Sequence, residues 1–311
     1  MKNAVVLGAS GGMGYSLVNE LIEKGFKVTA FARNKAKLER LFGGKEGVGI
    51  VIGDAYAERD ILNACKGADM IFHTVSVPYP DWTEGHPAIM KNAINAAKAE
   101  NAKLIIIDNI YAYGKQNGKK VEETAQKSPH TKKGQIRLSL EKMVKESGVS
   151  YMILHFPDYY GPNAENTLLH QTLKPVSSNK RTIFIGDLNS KREYIYTPDG
   201  AKAAVALAMK EDSFGQNWNI PGSGVISGKE LMQIFQREAA YTKPVLKIGK
   251  RTIWLMGLFD RNMKEMREMM YLYENPVILS GEKYQNHIGI LPATPYEAGI
   301  SKTLAYMKKN E

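Results

Sequence analysis

The stretch Gly8-Ala9-Ser10-Gly11-Gly12-Met13-Gly14 constrains this chain more than any other. Apolar residues 4–7 lead straight into it, as a short buried strand would. Behind it, Met13, Leu17, Val18, Leu21 and Ile22 fall on one face of a helix. Strand, glycine turn, helix is the order that a dinucleotide-binding turn requires. Glycine serves twice in such a turn. The backbone bends tightly there, and its N–H groups approach a pyrophosphate closely. The helix N-terminus then meets that anion with unpaired donors and a partial positive charge. The expected cofactor contacts are Gly8, Ser10, Gly11, Gly12, Met13 and Gly14, spaced G-x-x-G-x-x-G.

The next strand, residues 26–32, bears on which cofactor is bound. An acid at its end would hold a ribose 2′-hydroxyl, as in NAD sites. Arg33 stands there instead, with Lys35 and Lys37 beyond it. Cations at this position suit a 2′-phosphate, so the expected cofactor is NADP.

With 311 residues the chain can bury a large core, as one α/β unit or two closely joined domains. No apolar run approaches the roughly 20 residues that span a bilayer. The chain runs directly into its first strand, and its single cysteine, Cys65, excludes an internal disulfide. A cytoplasmic protein without membrane contact is therefore expected. The net charge of +10 is spread along the sequence, with no basic tail or aromatic platform, so no nucleic-acid partner is expected. No His, Asp or Glu cluster has metal-ligand spacing.

Strands and helices alternate through the first half, which predicts a doubly wound parallel sheet of the Rossmann type. Further strands are expected at 48–52, 70–75, 103–107 and 151–155, with an aromatic loop at 76–85 and helices at 86–100 and 132–147. Residues 116–131 read as a surface loop. Ligands of such sheets lie beyond the carboxyl ends of the strands. Asp54, Thr74, Val75, Pro157 and the segment 108–114 should therefore face one crevice. The Pro- and Tyr-rich stretch at 156–162 suggests a boundary. Residues 1–162 form the NADP-binding domain in this reading. Residues 163–311 form a smaller α+β substrate region, part of which, about 193–220, returns to the main sheet. Residues 251–273 are rich in Met, Trp and Tyr and suit either an adaptable lid or, preferably, helices packing a small core.

These landmarks together resemble the extended short-chain dehydrogenase/reductase superfamily, of the NAD-dependent epimerase/dehydratase type. Gly8, Gly11 and Gly14 match its cofactor turn. Gly53-Asp54 matches the strand end near the adenine, and Phe72-His73-Thr74-Val75-Ser76 its fourth-strand motif. Tyr113-Gly114 and Tyr160-Gly161-Pro162 match two more motifs. Arg192-Glu193-Tyr194-Ile195-Tyr196-Thr197-Pro198-Asp199 resembles a stretch of nucleotide-sugar enzymes whose Arg contacts the substrate's nucleotide. The resemblance implies a carbonyl or alcohol substrate, nucleotide-sugar-like in character, and a monomer or homodimer. Tyr79, Trp82, Tyr113, His155, Tyr159 and Arg192 are the candidate substrate contacts.

The catalytic residues depart from the pattern. Typical members use a Ser or Thr at the end of the fifth strand and a Tyr-x-x-x-Lys on the next helix. Counting from Tyr113-Gly114, these positions hold Asn109, Lys133 and Arg137. Lys133-Gly134-Gln135-Ile136-Arg137 resembles the Lys-x-x-Ile-Arg segment of isoflavone-reductase-like enzymes, in which the Lys is the general base and also borders the cofactor. In an active protein Arg137 would lower the pKa of Lys133, Asn109 would orient the substrate oxygen, and Tyr111, Tyr113 or Tyr159 would substitute as proton donor. The alternative is a non-catalytic NADP-binding redox sensor of the NmrA-like kind. On its plainest reading, Arg137 pairs with Glu141 on a solvated face and Lys133 is exposed.

Overall fold

The computed structural model describes residues 2–310. Seven strands make one parallel sheet. In chain order they start with β1 (Asn3–Leu7), β2 (Lys27–Ala32), β3 (Val48–Ile52), β4 (Met70–His73), β5 (Lys103–Asn109) and β6 (Tyr151–Phe156). Two short strands outside this sheet follow, β7 (Asp158–Tyr160) and β8 (Lys191–Tyr196). The seventh sheet strand is β9 (Gln216–Asn219). The order across the sheet is β9-β6-β5-β4-β1-β2-β3, the doubly wound arrangement.

The alternation of apolar side chains explains why both faces are covered. In β1, Val5 and Leu7 enter one core and Ala4 and Val6 the other. Helices α1 (Gly12–Glu23) and α2 (Lys35–Phe42) cover the second face. Helices α3 (Glu58–Ala64), α4 (Trp82–Ala99) and α5 (Lys132–Lys145) cover the first. Cys65 is buried there.

Three local expectations need correction. Residues 82–85 are helical rather than loop. The helix starts ahead of the expected residue 86, and Pro87 lies inside it. It begins at Trp82, whose indole N–H donates to the Val77 carbonyl at 2.9 Å and fixes the earlier turn. Strand β4 stops at His73 because Thr74 turns back, its hydroxyl donating to the Leu7 carbonyl at 2.8 Å. Loop 116–131 is partly ordered by pairing, since Lys120–Val121 runs parallel to Ile278–Leu279.

Beyond β7, helix α6 (Leu168–Ser177) joins a third core with Phe184, Tyr194 and Ile300. Strand β8 pairs with β7 and with β10 (Val225–Ser227). Helix α7 (Thr197–Ala208) packs back on α1, where the Met13 methyl nearly touches Gly200. Strand β9 closes the main sheet against β6. Helix α8 (Gly228–Ala239) starts with a capping box from Ser227 and Glu230. Finally, α9 (Lys250–Met256) and α10 (Arg261–Met266) form a hairpin over the crevice. Its inner residues Ile253, Met266 and Met270 pack with Ile248 and Tyr273, the small core expected of this Met-rich stretch.

Candidate active site

At the glycine turn, backbone geometry dominates. Gly8 has φ +89°, where side chains are strained, and a Cβ there would meet the Thr74 hydroxyl at 2.7 Å. A Cβ on Gly14 would lie 2.3 Å from the Gly8 carbonyl, and one on Gly12 2.6 Å from Ala164 Cα. Gly11 faces more open space. No side chain caps the N-terminus of α1, and its first turn holds no acid. This cradle fits a dinucleotide pyrophosphate, with donors and dipole aimed outward. Asn163 supports it from behind, its amide donating to the Ser10 carbonyl at 3.0 Å. The Met13 side chain belongs to the core, so only its backbone is available to a ligand. Val75 packs half-buried on the α3–α5 core, and Pro157 is buried between β6 and β7.

Arg33 is exposed and has no ion-pair partner among the described residues. Lys37, in contrast, is held by Glu165 at 2.6 Å. Of the three cations beyond β2, Arg33 and Lys35 stay exposed. Asp54 accepts from the Tyr56 N–H at 3.1 Å, at the end of β3.

At the β5 end, side chains dominate. Asn109 accepts from the Tyr111 N–H at 3.0 Å through its carbonyl oxygen. The Tyr111 and Tyr79 hydroxyls meet at 3.0 Å. Burial raises both phenols, Tyr79 to about 12, so both remain protonated donors. The Lys133 ammonium lies 4.9 Å over the Tyr79 ring.

Lys133 is 1% exposed, not a solvated residue. Its ammonium donates to Glu265 at 2.7 Å and Glu268 at 2.6 Å, from the α9–α10 hairpin and the turn after it. Glu268 also accepts the Lys132 backbone N–H at 2.7 Å. The immediate partners of Lys133 are thus carboxylates rather than the expected Arg137. Arg137 is also buried, and it pairs with Asp108 at 3.3 Å rather than with Glu141. Its guanidinium lies 4.5 Å over Trp82 and 3.3 Å from His86 Nε2. Burial, reinforced by Arg137, lowers His86 to about 2 and His73 to about 3, so both are neutral.

Several candidate substrate contacts are committed elsewhere. Trp82 is buried beneath Arg137. The Tyr113 hydroxyl donates to Asn219 at 2.7 Å. His155 lies behind β5, with Nδ1 3.1 Å from the Asn109 carbonyl and Nε2 2.9 Å from Lys127. Lys127 is ion-paired to Glu141, which also binds Lys145 and Asn217 at 2.8 Å each. Burial would raise Glu141, but these cations outweigh it and hold the carboxyl at about 2. Burial lowers His155 to about 4, Lys127 adding to it. Arg192 is ion-paired to Asp158 and stacked 3.9 Å over Tyr273, so its charge is already matched. Tyr159 is half-buried beside Phe156, and burial raises its phenol.

Glu265, Glu268, Lys127 and Asn163 emerge only from the fold. Each acts on a residue far along the chain, and nothing in its own neighbourhood marks it.

The sequence pattern of the NAD(P)H-binding family matches residues 8–188. An uncharacterized UDP-glucose epimerase of Bacillus subtilis (strain 168) is 26% identical over 257 residues, 75% of this chain and 80% of that one. Among solved structures, dTDP-glucose 4,6-dehydratase from Bacillus anthracis str. Ames, in complex with NAD, superposes with TM-score 0.82 at 15% identity, covering 100% of this chain and 98% of that one. UDP-glucuronic acid 4-epimerase from Bacillus cereus, also with NAD, gives TM-score 0.80 at 18% identity and 99% coverage of each chain. At these identities the superpositions speak to fold alone.

Proposed function

Because this chain belongs to the NAD(P)H-binding family, within the extended short-chain dehydrogenase/reductase superfamily, we propose that it is an NADP(H)-dependent enzyme of the epimerase/dehydratase type. Its substrate is a small carbonyl or alcohol compound of nucleotide-sugar-like character. The observation that carries this reading is the line of donors beyond the glycine cradle, from Asn109 through Tyr111 and Tyr79 to Lys133.

NADP, when bound, supplies or accepts the hydride at the reacting carbon. The cradle from Gly8 to Gly14 would hold its pyrophosphate, Asp54 would border the adenine, and Arg33 would take the 2′-phosphate. Asn109 has its carbonyl oxygen engaged, which leaves its NH2 to donate to the substrate oxygen. Tyr111 carries a proton at the same oxygen, and Tyr79 steadies that hydroxyl. Lys133 has a third N–H left to donate where the usual tyrosine would stand, with Glu265 and Glu268 fixing its position. Arg137, locked by Asp108 and Trp82, stiffens the floor.

The test is NADPH turnover on a panel of aldehydes, ketones and nucleotide sugars. Activity lowered about 10²- to 10⁴-fold in Lys133→Met and in Tyr111→Phe is the expected result. Unchanged activity in both variants would sink the assignment.

A second reading rests on the ion pairs themselves. Both residues replacing the usual Tyr and Lys are neutralised by acids, which suits a protein that binds NADP(H) and reports it to a partner. That reading gains if cofactor binds but no substrate on the panel turns over, and if cofactor changes affinity for a captured partner.

A further inference from the structure

The outer side of the α9–α10 hairpin is unlike the rest of the surface. Trp254, Leu255, Met256 and Leu258 are exposed, and Phe259 at its tip is 93% exposed. Five large apolar side chains within six positions leave a protruding apolar knob in water. A lone exposed leucine needs no explanation, but a contiguous patch marks an interaction site. The inner side of the same hairpin is firmly anchored. Ile253 and Met266 sit in the small core, and Arg267 donates to the Trp254 carbonyl and lies 5.2 Å over its ring. The exposure is therefore held in place by the fold.

The rim of the knob is cationic. Arg251, Arg261 and Lys264 are exposed and have no ion-pair partner among the described residues. Asp260, the acid within the knob, is occupied in capping α10 through the Met263 N–H at 2.9 Å. Tryptophan, leucine and phenylalanine at a tip, with unpaired Arg and Lys around them, match an element that lies in a membrane interface. The apolar tips enter the acyl boundary while the cations meet anionic headgroups. No helix among the described residues is long and apolar enough to cross a membrane, so such contact is peripheral. Five exposed apolar residues are also far fewer than the roughly 20–30 residues a side of a standard stable interface, which disfavours a second copy as the occupant.

We infer that residues 250–264 dock this protein on an anionic phospholipid surface, through the exposed Trp254–Phe259 knob and its Arg251, Arg261 and Lys264 rim. Docking would set the crevice mouth against the bilayer, because the turn after this hairpin delivers Glu268, and α10 delivers Glu265, to Lys133. The inference stands on the knob alone and holds whichever reaction the crevice performs.

Fluorescence offers a direct test. Of the three tryptophans, Trp82 and Trp218 are 4% and 1% exposed, so a change on docking reports Trp254. The full chain is mixed with vesicles of equal parts phosphatidylcholine and phosphatidylglycerol, or of phosphatidylcholine alone. A blue shift and co-sedimentation with the anionic vesicles only are expected. Leu258→Ser with Phe259→Ser should lower the partition coefficient at least about tenfold with unchanged Tm, since both side chains are exposed. Arg251→Glu with Lys264→Glu should abolish the preference for anionic lipid. Absence of binding to anionic vesicles, equal binding to both kinds, or full binding by the serine double variant would each overturn the inference. So would a concentration-dependent dimer that the serine variant abolishes while vesicles remain unbound, because a second copy would then be the occupant.

Discussion

The two ends of the crevice are built in different ways. The proposed cofactor end is made mainly of backbone from one stretch, β1 through the start of α1, buttressed by Thr74, Asn163 and Ala164. Its contacts are close approaches that only glycine permits, such as Gly14 against the Gly8 carbonyl. The proposed chemical end is made of side chains brought together from Tyr79, Tyr111, Lys133 and Glu268, the last two 135 positions apart. It is held by charge rather than by shape. A site made of backbone tolerates change in its neighbours but not in itself. A site made of ion pairs depends on every partner, because a buried charge left alone is costly. One fold can therefore keep its cofactor while its chemistry drifts.

The sharpest way to break this contrast is to remove charge at the chemical end. Lys133→Met should cost about 10²- to 10⁴-fold in kcat while leaving NADPH affinity within about threefold, by fluorescence titration. Equal loss of binding and turnover would mean that the two ends are one unit. Next comes shape at the cofactor end. Gly14→Ala should destabilise the fold by about 1–3 kcal/mol, seen as a lower Tm. Gly11→Ala, in open space, should keep Tm and weaken only the cofactor. Similar Tm losses in both would contradict the close approach at Gly14.

Acid should then strike the chemical end first. His73, His86 and His155 are held neutral, with folded pKa values of about 3, 2 and 4. An unfolded histidine takes up its proton near 6.5, so the unfolded chain binds more protons between that pH and each folded value. Stability is full above about 6.5 and falls as the pH drops toward 4, by about 1.4 kcal/mol per unit for each histidine. Glu193 opposes this. Burial raises its carboxyl from 4.5 to about 7, so the folded chain binds more protons between those values and gains stability as the pH falls through that window. Melting curves from pH 7 to 5 should show a net fall, shallower in His155→Gln; an identical slope would remove His155 from the account. The smallest effect concerns specificity. Arg33→Ala should weaken NADP about tenfold and NAD hardly at all, since an exposed Arg–phosphate pair has this modest worth. Equal weakening of both would sink the 2′-phosphate assignment.

The same contrast explains what could be read before folding. The glycine turn, the first strand–helix–strand unit and six strands of the main sheet follow from local periodicity, because each strand feeds alternate residues to two cores. Counting from Tyr113-Gly114 locates Asn109, Lys133 and Arg137 in the sequence but not their partners. Glu141 lies four residues from Arg137 on the same helix, which predicts a pair, yet Arg137 turns inward to Asp108 and Glu141 to Lys127. Helical spacing states which side chains are near, but burial decides which charges must meet. Glu265 and Glu268 sit in a Met-rich segment whose composition speaks only of packing. His155 and Tyr113 lie at the right strand ends but on the side covered by α5, a distinction that depends on the strand pleat at its last residue.

The position of β9 in the sheet has a consequence for biosynthesis. Met152 in β6 finds its outer neighbour only when Gln216 is available. At roughly 10 residues per second, about six seconds of synthesis separate the end of β6 from the start of β9. Through that interval a nearly complete parallel sheet presents Met152, Ile153 and Leu154 along an unpaired edge, the kind of edge that invites foreign strands. The nascent chain should thus be most in need of a chaperone after its nucleotide-binding half has emerged, and a stall between residues 156 and 216 should be more damaging than one earlier or later.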